Sequence, residues 1–159
     1  MAKTCFLSFH YDDDCWRVQQ VKQMGAIAEQ PLLSSNDWEE VKKGGDAGIK
    51  EWIDDKMEGR SCLVVLVGAK TAGRRWVKYE IEKAWEKGMG VVAVRIHNLA
   101  DSAGEQSPIG GDPFAGRSVG GVAVTGEIYD PPFSTSKKVY DDIAEKIGGL
   151  IDAAVKARK

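Results

Sequence analysis

The sequence predicts an α/β domain, a three-layer sandwich in which helices cover both faces of a five-stranded, mainly parallel sheet. Residues 61–67 and 91–97 are apolar runs with little polar alternation, which is typical of strands buried on both faces of a parallel sheet. Segments with helical spacing of apolar residues separate the candidate strands, and this alternation favours parallel pairing. All 159 residues are predicted to form one domain.

The composition is that of an ordinary globular protein. The hydrophobic share of 43% and the net charge of −2 give no sign of a nucleic-acid or membrane-surface partner. No apolar run approaches the ~20 residues of a membrane span, and residues 1–4 lead into a strand instead of a signal peptide. The cysteines Cys5, Cys15 and Cys62 form no metal-binding cluster. We therefore expect a cytoplasmic protein with reduced cysteines and no metal.

The first third of the chain predicts two strands and three helices. Residues 4–9 form the first strand, and Asp14 caps the helix that follows. Residues 26–33 hold a weakly patterned second strand, confined to an edge by its proline. Asn36 caps a short helix and Asp46 caps the next one. The apolar stripe of that last helix consists of Ile49, Trp52, Ile53 and Met57.

The remaining elements surround a long connection. Residues 61–67 form the third strand, residues 68–73 a polar turn, and residues 74–88 a helix that ends at a glycine. The fourth strand, residues 91–97, leads into a Pro/Gly-rich connection over residues 99–135, and loops of that length are usually functional or mobile. The connection contains two segments fit for short strands, and a strongly periodic helix closes the chain; these are residues 121–124, 127–129 and 136–157.

Five strands in this arrangement predict the flavodoxin-like order 2-1-3-4-5, which leaves a crevice between the first and third strands. The turns at residues 8–12 and 68–73 would line the crevice. Trp76 and Glu80, four residues apart, share the helical face beside it. The spacing alone has an ordinary interpretation, in which Trp76 packs and Glu80 is solvated. The position of Trp76 and Glu80 at the ligand-binding edge of the sheet favours a functional interpretation.

Two motifs resemble a known family. Residues 6–11, Phe-Leu-Ser-Phe-His-Tyr, resemble the first box of TIR domains, and Trp76-x-x-x-Glu80 resembles their Trp-x-x-x-Glu signature. Three further segments are similar to the TIR-like proteins of bacterial Thoeris anti-phage defence systems. They are Asn-Asp-Trp-Glu at residues 36–39, Gly-Arg-Arg-Trp-Val-Lys-Tyr-Glu at residues 73–80 and Ile-His-Asn at residues 96–98. The similarity covers nearly the whole chain.

The resemblance implies a flavodoxin-like (TIR-like) domain that consumes NAD as a substrate, without another cofactor, and makes a cyclic or conjugated ADP-ribose signal. A separate effector protein would read that signal, and the enzyme would self-associate on activation. Glu80 is the predicted catalytic residue. The predicted substrate contacts are Ser8, Phe9, His10, Tyr11, Asp37, Trp38, Arg75 and Trp76.

Elementary chemistry supports a carboxylate at this position. Nicotinamide leaves NAD as a neutral molecule, so the reaction mainly has to stabilise oxocarbenium-like positive charge on the ribose. A carboxylate that accepts hydrogen bonds from the ribose hydroxyls does this, and Glu80 is the candidate. Trp76 would exclude water and so strengthen the electric field that the Glu80 carboxylate exerts on the ribose. The sequence leaves open which nucleophile attacks, and therefore whether the product is linear, cyclic or conjugated.

Other interpretations of the sequence remain open. In a non-catalytic TIR-like interaction module, Glu80 would only brace a surface loop. A phospho-acceptor receiver domain shares the fold, but the third strand ends in Val-Gly-Ala-Lys at residues 67–70, without an acceptor aspartate. A Rossmann dehydrogenase would need a Gly-x-Gly-x-x-Gly after the first strand, which this sequence lacks. His97 is interpreted as structural, and the aspartates of residues 12–14 as solvated.

Overall fold

The computed structural model describes residues 4–27 and 41–158, with the side chains of Tyr11 and Asp12 excepted. The strands are β1 (Cys5–Ser8), β2 (Cys62–Val67), β3 (Gly90–Arg95), β4 (Ser118–Val119), β5 (Val122–Ala123) and β6 (Glu127–Tyr129). The helices are α1 (Tyr11–Gln23), α2 (Gly45–Met57), α3 (Arg75–Glu86) and α4 (Ser136–Ala157). Helices separate β1, β2 and β3, as the sequence predicts.

The main sheet of the described residues has the strand order β1-β2-β3-β6, and every neighbouring pair is parallel. These strands correspond to the predicted first, third, fourth and fifth strands, in the predicted sequence of neighbours. Residues 28–33 of the predicted second strand lie outside the described residues. The α/β fold class is therefore confirmed, whereas the full five-strand order stays a prediction.

Alternating side chains of the strands build a core on each face of the sheet, which explains why the strand sequences lack polar alternation. One core joins α1 and α4 to one face; its strand residues are Cys5, Leu7, Cys62, Val64, Leu66, Val92 and Val94. The other joins α2 and α3 to the opposite face; its strand residues are Phe6, Leu63, Val65, Val67, Val91 and Ala93. The molecule is thus a three-layer sandwich.

Two predicted helix caps are wrong. Helix α1 begins at Tyr11, with His10 in the N-cap position, so Asp14 lies inside the helix and does not cap it. Asp14 is also buried, contrary to the prediction of a solvated aspartate run, because Arg17 one turn later pairs with it. Helix α2 begins at Gly45, so Asp46 falls in its first turn. The helix predicted to start at Asn36 has its start outside the described residues.

The long connection contributes one strand to the main sheet. Glu127–Tyr129 pairs with β3, whereas β4 and β5 form a separate antiparallel pair. Helix α4 follows with the predicted bounds and packs through Val139, Ile143, Ile147 and Ile151. Among the helices of the described residues, none combines the length and the apolar character that crossing a membrane requires.

Candidate active site

Ser8 ends β1, at the carboxyl edge of the sheet. Side chains alternate along a strand, and Phe6 belongs to the core beneath α2 and α3, so Ser8 faces the same side. Its side chain is almost fully buried, with 1% of its surface exposed. A hydroxyl in such a position needs a hydrogen-bond partner from the layer above.

Glu80 supplies that partner from α3. The Ser8 hydroxyl donates a hydrogen bond to Oε1 of Glu80, with 2.7 Å between the oxygens. Glu80 lies on the buried stripe of α3, next to Val77 and Ile81, because residues three and four apart share a helical face. The sequence analysis places Glu80 on one helical face with Trp76, and in the structure Glu80 belongs to the buried stripe. Two predicted site residues are thus in direct contact.

Burial dominates the electrostatics of Glu80. The side chain is 9% exposed, and loss of water raises the pKa of Glu80 from 4.5 to about 8, although the hydrogen bond from Ser8 opposes that shift. Within the described part of the chain, no cationic side chain forms an ion pair with this carboxyl. The resting site therefore holds a carboxyl group that is mostly protonated at neutral pH.

The residues after Ser8 carry the chain from the sheet into α1. Phe9 is half-buried and packs against the core beneath α1 and α4. His10 is buried at the N-cap of α1, and its Nδ1 lies 3.3 Å from Oδ2 of Asp13 without forming a hydrogen bond. Tyr11 starts the helix, and its side chain is not described. The predicted contacts Asp37 and Trp38 lie outside the described residues.

Arg75 and Trp76 interact on the α2 side of α3. The Arg75 guanidinium forms an ion pair with the exposed Asp46 carboxylate and lies 4.6 Å from the centre of the Trp76 ring. Trp76 also makes an edge-on contact with Tyr79, with 5.8 Å between ring centres. Trp76 is half-buried and packs against the α2–α3 core. Arg75 thus links α3 to α2, whereas Trp76 makes its ring contacts within α3 and packs on the core beneath it.

A comparison with protein families identifies the family of this chain. The family described as Thoeris protein ThsB, TIR-like domain, matches residues 6–101, which contain both Ser8 and Glu80. The chain belongs to this TIR-like family. A curated relative from Bacillus cereus (strain MSX-D12), named "Putative cyclic ADP-D-ribose synthase ThsB1", is 34% identical over 119 residues, which are 72% of this chain. The match spans 62% of the length of that relative.

The sequence analysis missed a buried ion pair within α1 of this TIR-like domain. Arg17, 3% exposed, donates to Oδ1 of Asp14 at 2.9 Å, to the Leu99 carbonyl at 2.8 Å and to the Glu105 carbonyl at 3.0 Å. Burial raises the pKa of Asp14, although Arg17 counteracts this. The opposite charges of Asp14 and Arg17 at a three-residue spacing were the available signal.

Two glycines let the loops of the TIR-like domain meet at this edge. A Cβ atom on Gly68, which follows β2, would lie 2.1 Å from an oxygen of the Asp14 carboxylate. A Cβ atom on Gly110, within the long connection, would lie 2.1 Å from the carbonyl oxygen of Gly68. Arg95 at the end of β3 donates to the Gly110 carbonyl at 2.6 Å. The start of α1, the turn after β2 and the connection are therefore packed together without space for side chains at Gly68 and Gly110.

The contact between Ser8 and Glu80 has a limited set of chemical uses. As a carboxylate, Glu80 can accept hydrogen bonds from ligand hydroxyls and stabilise positive charge; as a neutral acid, it can donate one hydrogen bond. Ser8 can orient either form. Among the described side chains, Glu80 is the hydrogen-bond partner of the Ser8 hydroxyl, so the two groups act as one unit. The pair suits electrostatic stabilisation of a cationic transition state.

Proposed function

We propose that this protein cleaves the nicotinamide glycosidic bond of NAD and produces a cyclic or conjugated ADP-ribose signal in anti-phage defence. The observation that carries the proposal is the buried Glu80 carboxyl, held by Ser8 at the carboxyl edge of the sheet. The name of the Bacillus cereus relative, "Putative cyclic ADP-D-ribose synthase ThsB1", supports the same chemistry. The reaction would take place in the cytoplasm.

In the proposed reaction, Glu80 acts as a carboxylate. Its oxygens accept hydrogen bonds from the hydroxyls of the nicotinamide ribose, and these bonds strengthen as positive charge develops on the sugar. The C–N bond breaks, and nicotinamide leaves with the bonding electrons as a neutral molecule. Ser8 orients the carboxylate through the bond to Oε1. Burial excludes water around the pair and so strengthens its effect on the sugar cation.

The identity of the product depends on the nucleophile that reaches the anomeric carbon. Water gives linear ADP-ribose, whereas a group of the same molecule gives a cyclic product and a small co-substrate gives a conjugate. The buried position of Glu80 favours an attack from within the bound molecule, because a dry site contains less water to compete. The product would then act on a separate effector protein. Self-association on activation remains a further part of the proposal.

Nicotinamide release tests the proposal directly. Pure protein is incubated with NAD, alone and with extract from phage-infected cells, and products are separated by chromatography. The wild type is expected to release nicotinamide, whereas Glu80→Gln is expected to lose at least 100-fold in rate, a typical loss, about 2.7 kcal/mol, for a transition-state contact. Glu86→Gln removes an exposed carboxylate from the same helix and is expected to keep the wild-type rate.

The same assay distinguishes the enzyme from a non-catalytic interaction module. Equal nicotinamide release by the wild type and a folded Glu80→Gln protein would remove Glu80 from the mechanism. Wild-type protein that leaves NAD intact under both conditions would contradict the enzymatic proposal and favour the interaction module. Circular dichroism of each variant establishes that it is folded.

A further inference from the structure

Glu80 is a buried acid whose only described polar partner is a neutral hydroxyl. Its Oε1 atom accepts a hydrogen bond from Ser8 at 2.7 Å, and Val77, Ile81 and Ala84 are buried on the same stripe of α3. A buried carboxylate is costly without a positive charge nearby, so such groups are either paired or neutral. Glu80 therefore lies in a site that can accept one positive charge.

Several charged side chains on the neighbouring elements are engaged with one another. They form the pairs Asp14 with Arg17, and Asp46 with Arg75, and a group in which Asp13 lies near both His10 and Lys70. These contacts tie the start of α1, the start of α2 and the turn after β2. None of the described charged groups contributes to the electrostatics of the Glu80 carboxyl, which is governed by burial and by Ser8.

The internal stretch outside the described residues offers Glu80 no counter-ion either. Residues 28–40 contain no Lys, Arg or His, whereas they contain Glu29, Asp37, Glu39 and Glu40. Whatever position this segment takes, its side chains can add only negative charge at neutral pH. The described contacts and residues 28–40 thus supply no cation for Glu80, whereas a bound ligand can.

Oxidised NAD carries such a cation at the reacting end, since its nicotinamide ring is a pyridinium, whereas the ring of NADH is neutral. We propose that Glu80 selects the redox form of its substrate by charge: the site binds the pyridinium ring of NAD in preference to the dihydropyridine ring of NADH, and the Glu80 carboxyl releases a proton to solvent as the cation binds. This inference rests on the proposed function, since it takes NAD as the substrate.

The resting protonation state makes the exchange possible. Burial raises the pKa of Glu80 to about 8, so most molecules hold the proton at pH 7. A pyridinium within ion-pair distance favours the carboxylate and lowers that pKa. The ligand thereby converts Glu80 to the form that the cleavage reaction needs. NADH lacks the positive charge and leaves Glu80 protonated, so Glu80 adds nothing to the affinity for NADH.

Isothermal titration calorimetry on the full chain measures both consequences. The probe is carbocyclic NAD, which keeps the pyridinium but cannot form the sugar cation, and NADH is the neutral-ring comparison. Titrations in two buffers of different ionisation enthalpy give the number of protons released. We expect about 0.9 proton per carbocyclic NAD at pH 7 and about 0.1 at pH 9, with none for NADH. At pH 8.5 we expect carbocyclic NAD to bind at least tenfold more tightly than NADH.

Two variants and a control test whether the released protons come from Glu80. Glu80→Gln is expected to release no proton and to bind both probes with similar affinity. Ser8→Ala removes a donor that favours the charged form, so its proton release should persist to higher pH than in the wild type. Glu86→Gln, an exposed acid on the same helix, should behave like the wild type.

The possible failures are distinguishable. If the protein cleaves NAD but binds carbocyclic NAD without proton release at pH 7, the charge-selection inference is overturned while the proposed function stands. Equal affinity for NADH and carbocyclic NAD at pH 8.5 has the same meaning. If the protein neither cleaves NAD nor binds either probe, the proposed function is overturned, and the inference with it.

Discussion

At the scale of single residues, the position of Glu80 follows from its spacing on α3. Val77, Glu80, Ile81 and Ala84 occupy one stripe, and the three apolar residues anchor that stripe in the α2–α3 core. The contact with Ser8 could be predicted only in outline. The sequence placed both residues at the same crevice, but the 2.7 Å distance depends on how deeply α3 packs on the sheet. Asp14 was misplaced because a run of three aspartates resembles a solvated cap, and its partner Arg17 was overlooked.

The raised pKa of Glu80 predicts a pH-dependent stability. The folded protein holds the Glu80 proton up to about pH 8, whereas the unfolded chain loses it near the ordinary value of 4.5. The stabilisation from this group is therefore complete below pH 4.5 and is lost as the pH rises through 8. Glu80→Gln stays neutral, so it should exceed the wild type in free energy of unfolding above pH 8 by on the order of 4 kcal/mol.

Urea unfolding of both proteins at pH 5, 7 and 9 measures this difference. The gain of Glu80→Gln over the wild type should be smallest at pH 5 and grow towards pH 9. Glu86→Gln, on the exposed side of α3, should follow the wild type throughout. A gain that does not change with pH would show that Glu80 is ionised in the resting protein.

At the scale of elements, helix α4 was the most predictable because its apolar residues recur at three- and four-residue steps over six turns. Its close packing on the sheet was not predictable. Gly90 begins β3, and a Cβ atom there would lie 2.7 Å from backbone atoms of Ala154 and Val155. The sequence shows a glycine before a strand, which usually marks a turn. Only the packed structure shows that the helix backbone occupies the space of a side chain.

Two glycine substitutions should therefore have opposite effects. Gly90→Ala forces α4 away from β3 and should lower the free energy of unfolding by about 1–3 kcal/mol. Gly149→Ala changes an exposed position within α4 where a Cβ atom meets no other atom within 4 Å, so it should raise the free energy of unfolding by about 0.5–1 kcal/mol. Chemical denaturation of the two variants measures both values. A neutral Gly90→Ala would contradict the close approach.

At the scale of the whole molecule, the three layers and the neighbours of the four described strands of the main sheet could be predicted from the order of apolar and helical segments. The contacts that hold the long connection in place could not. Arg17 on α1 binds the carbonyl groups of Leu99 and Glu105, more than 80 residues away in the chain. Contacts of that kind join segments whose sequences carry no shared pattern. One buried side chain thus holds the start of the connection against the sheet edge where Ser8 and Glu80 meet.

Replacing Arg17 tests this long-range role. Arg17→Met keeps much of the side-chain volume but leaves the Asp14 carboxylate buried without its partner, so it should cost about 3–5 kcal/mol of stability. Adding Asp14→Asn should recover part of that loss. Hydrogen exchange should accelerate at the amides of residues 99–107 before it does in the strands. Exchange that changes uniformly, or a cost below about 1 kcal/mol, would contradict the role of Arg17.

One of the two outer strands of the described sheet, β6, is only three residues long. A neighbouring chain that tried to extend the sheet by adding a strand there would find too few backbone groups to hold it. Fibril-like growth from that side is thereby discouraged, even where many copies crowd together. Any contact between copies on that flank would have to be made by side chains of helices and loops, which single substitutions can tune or abolish.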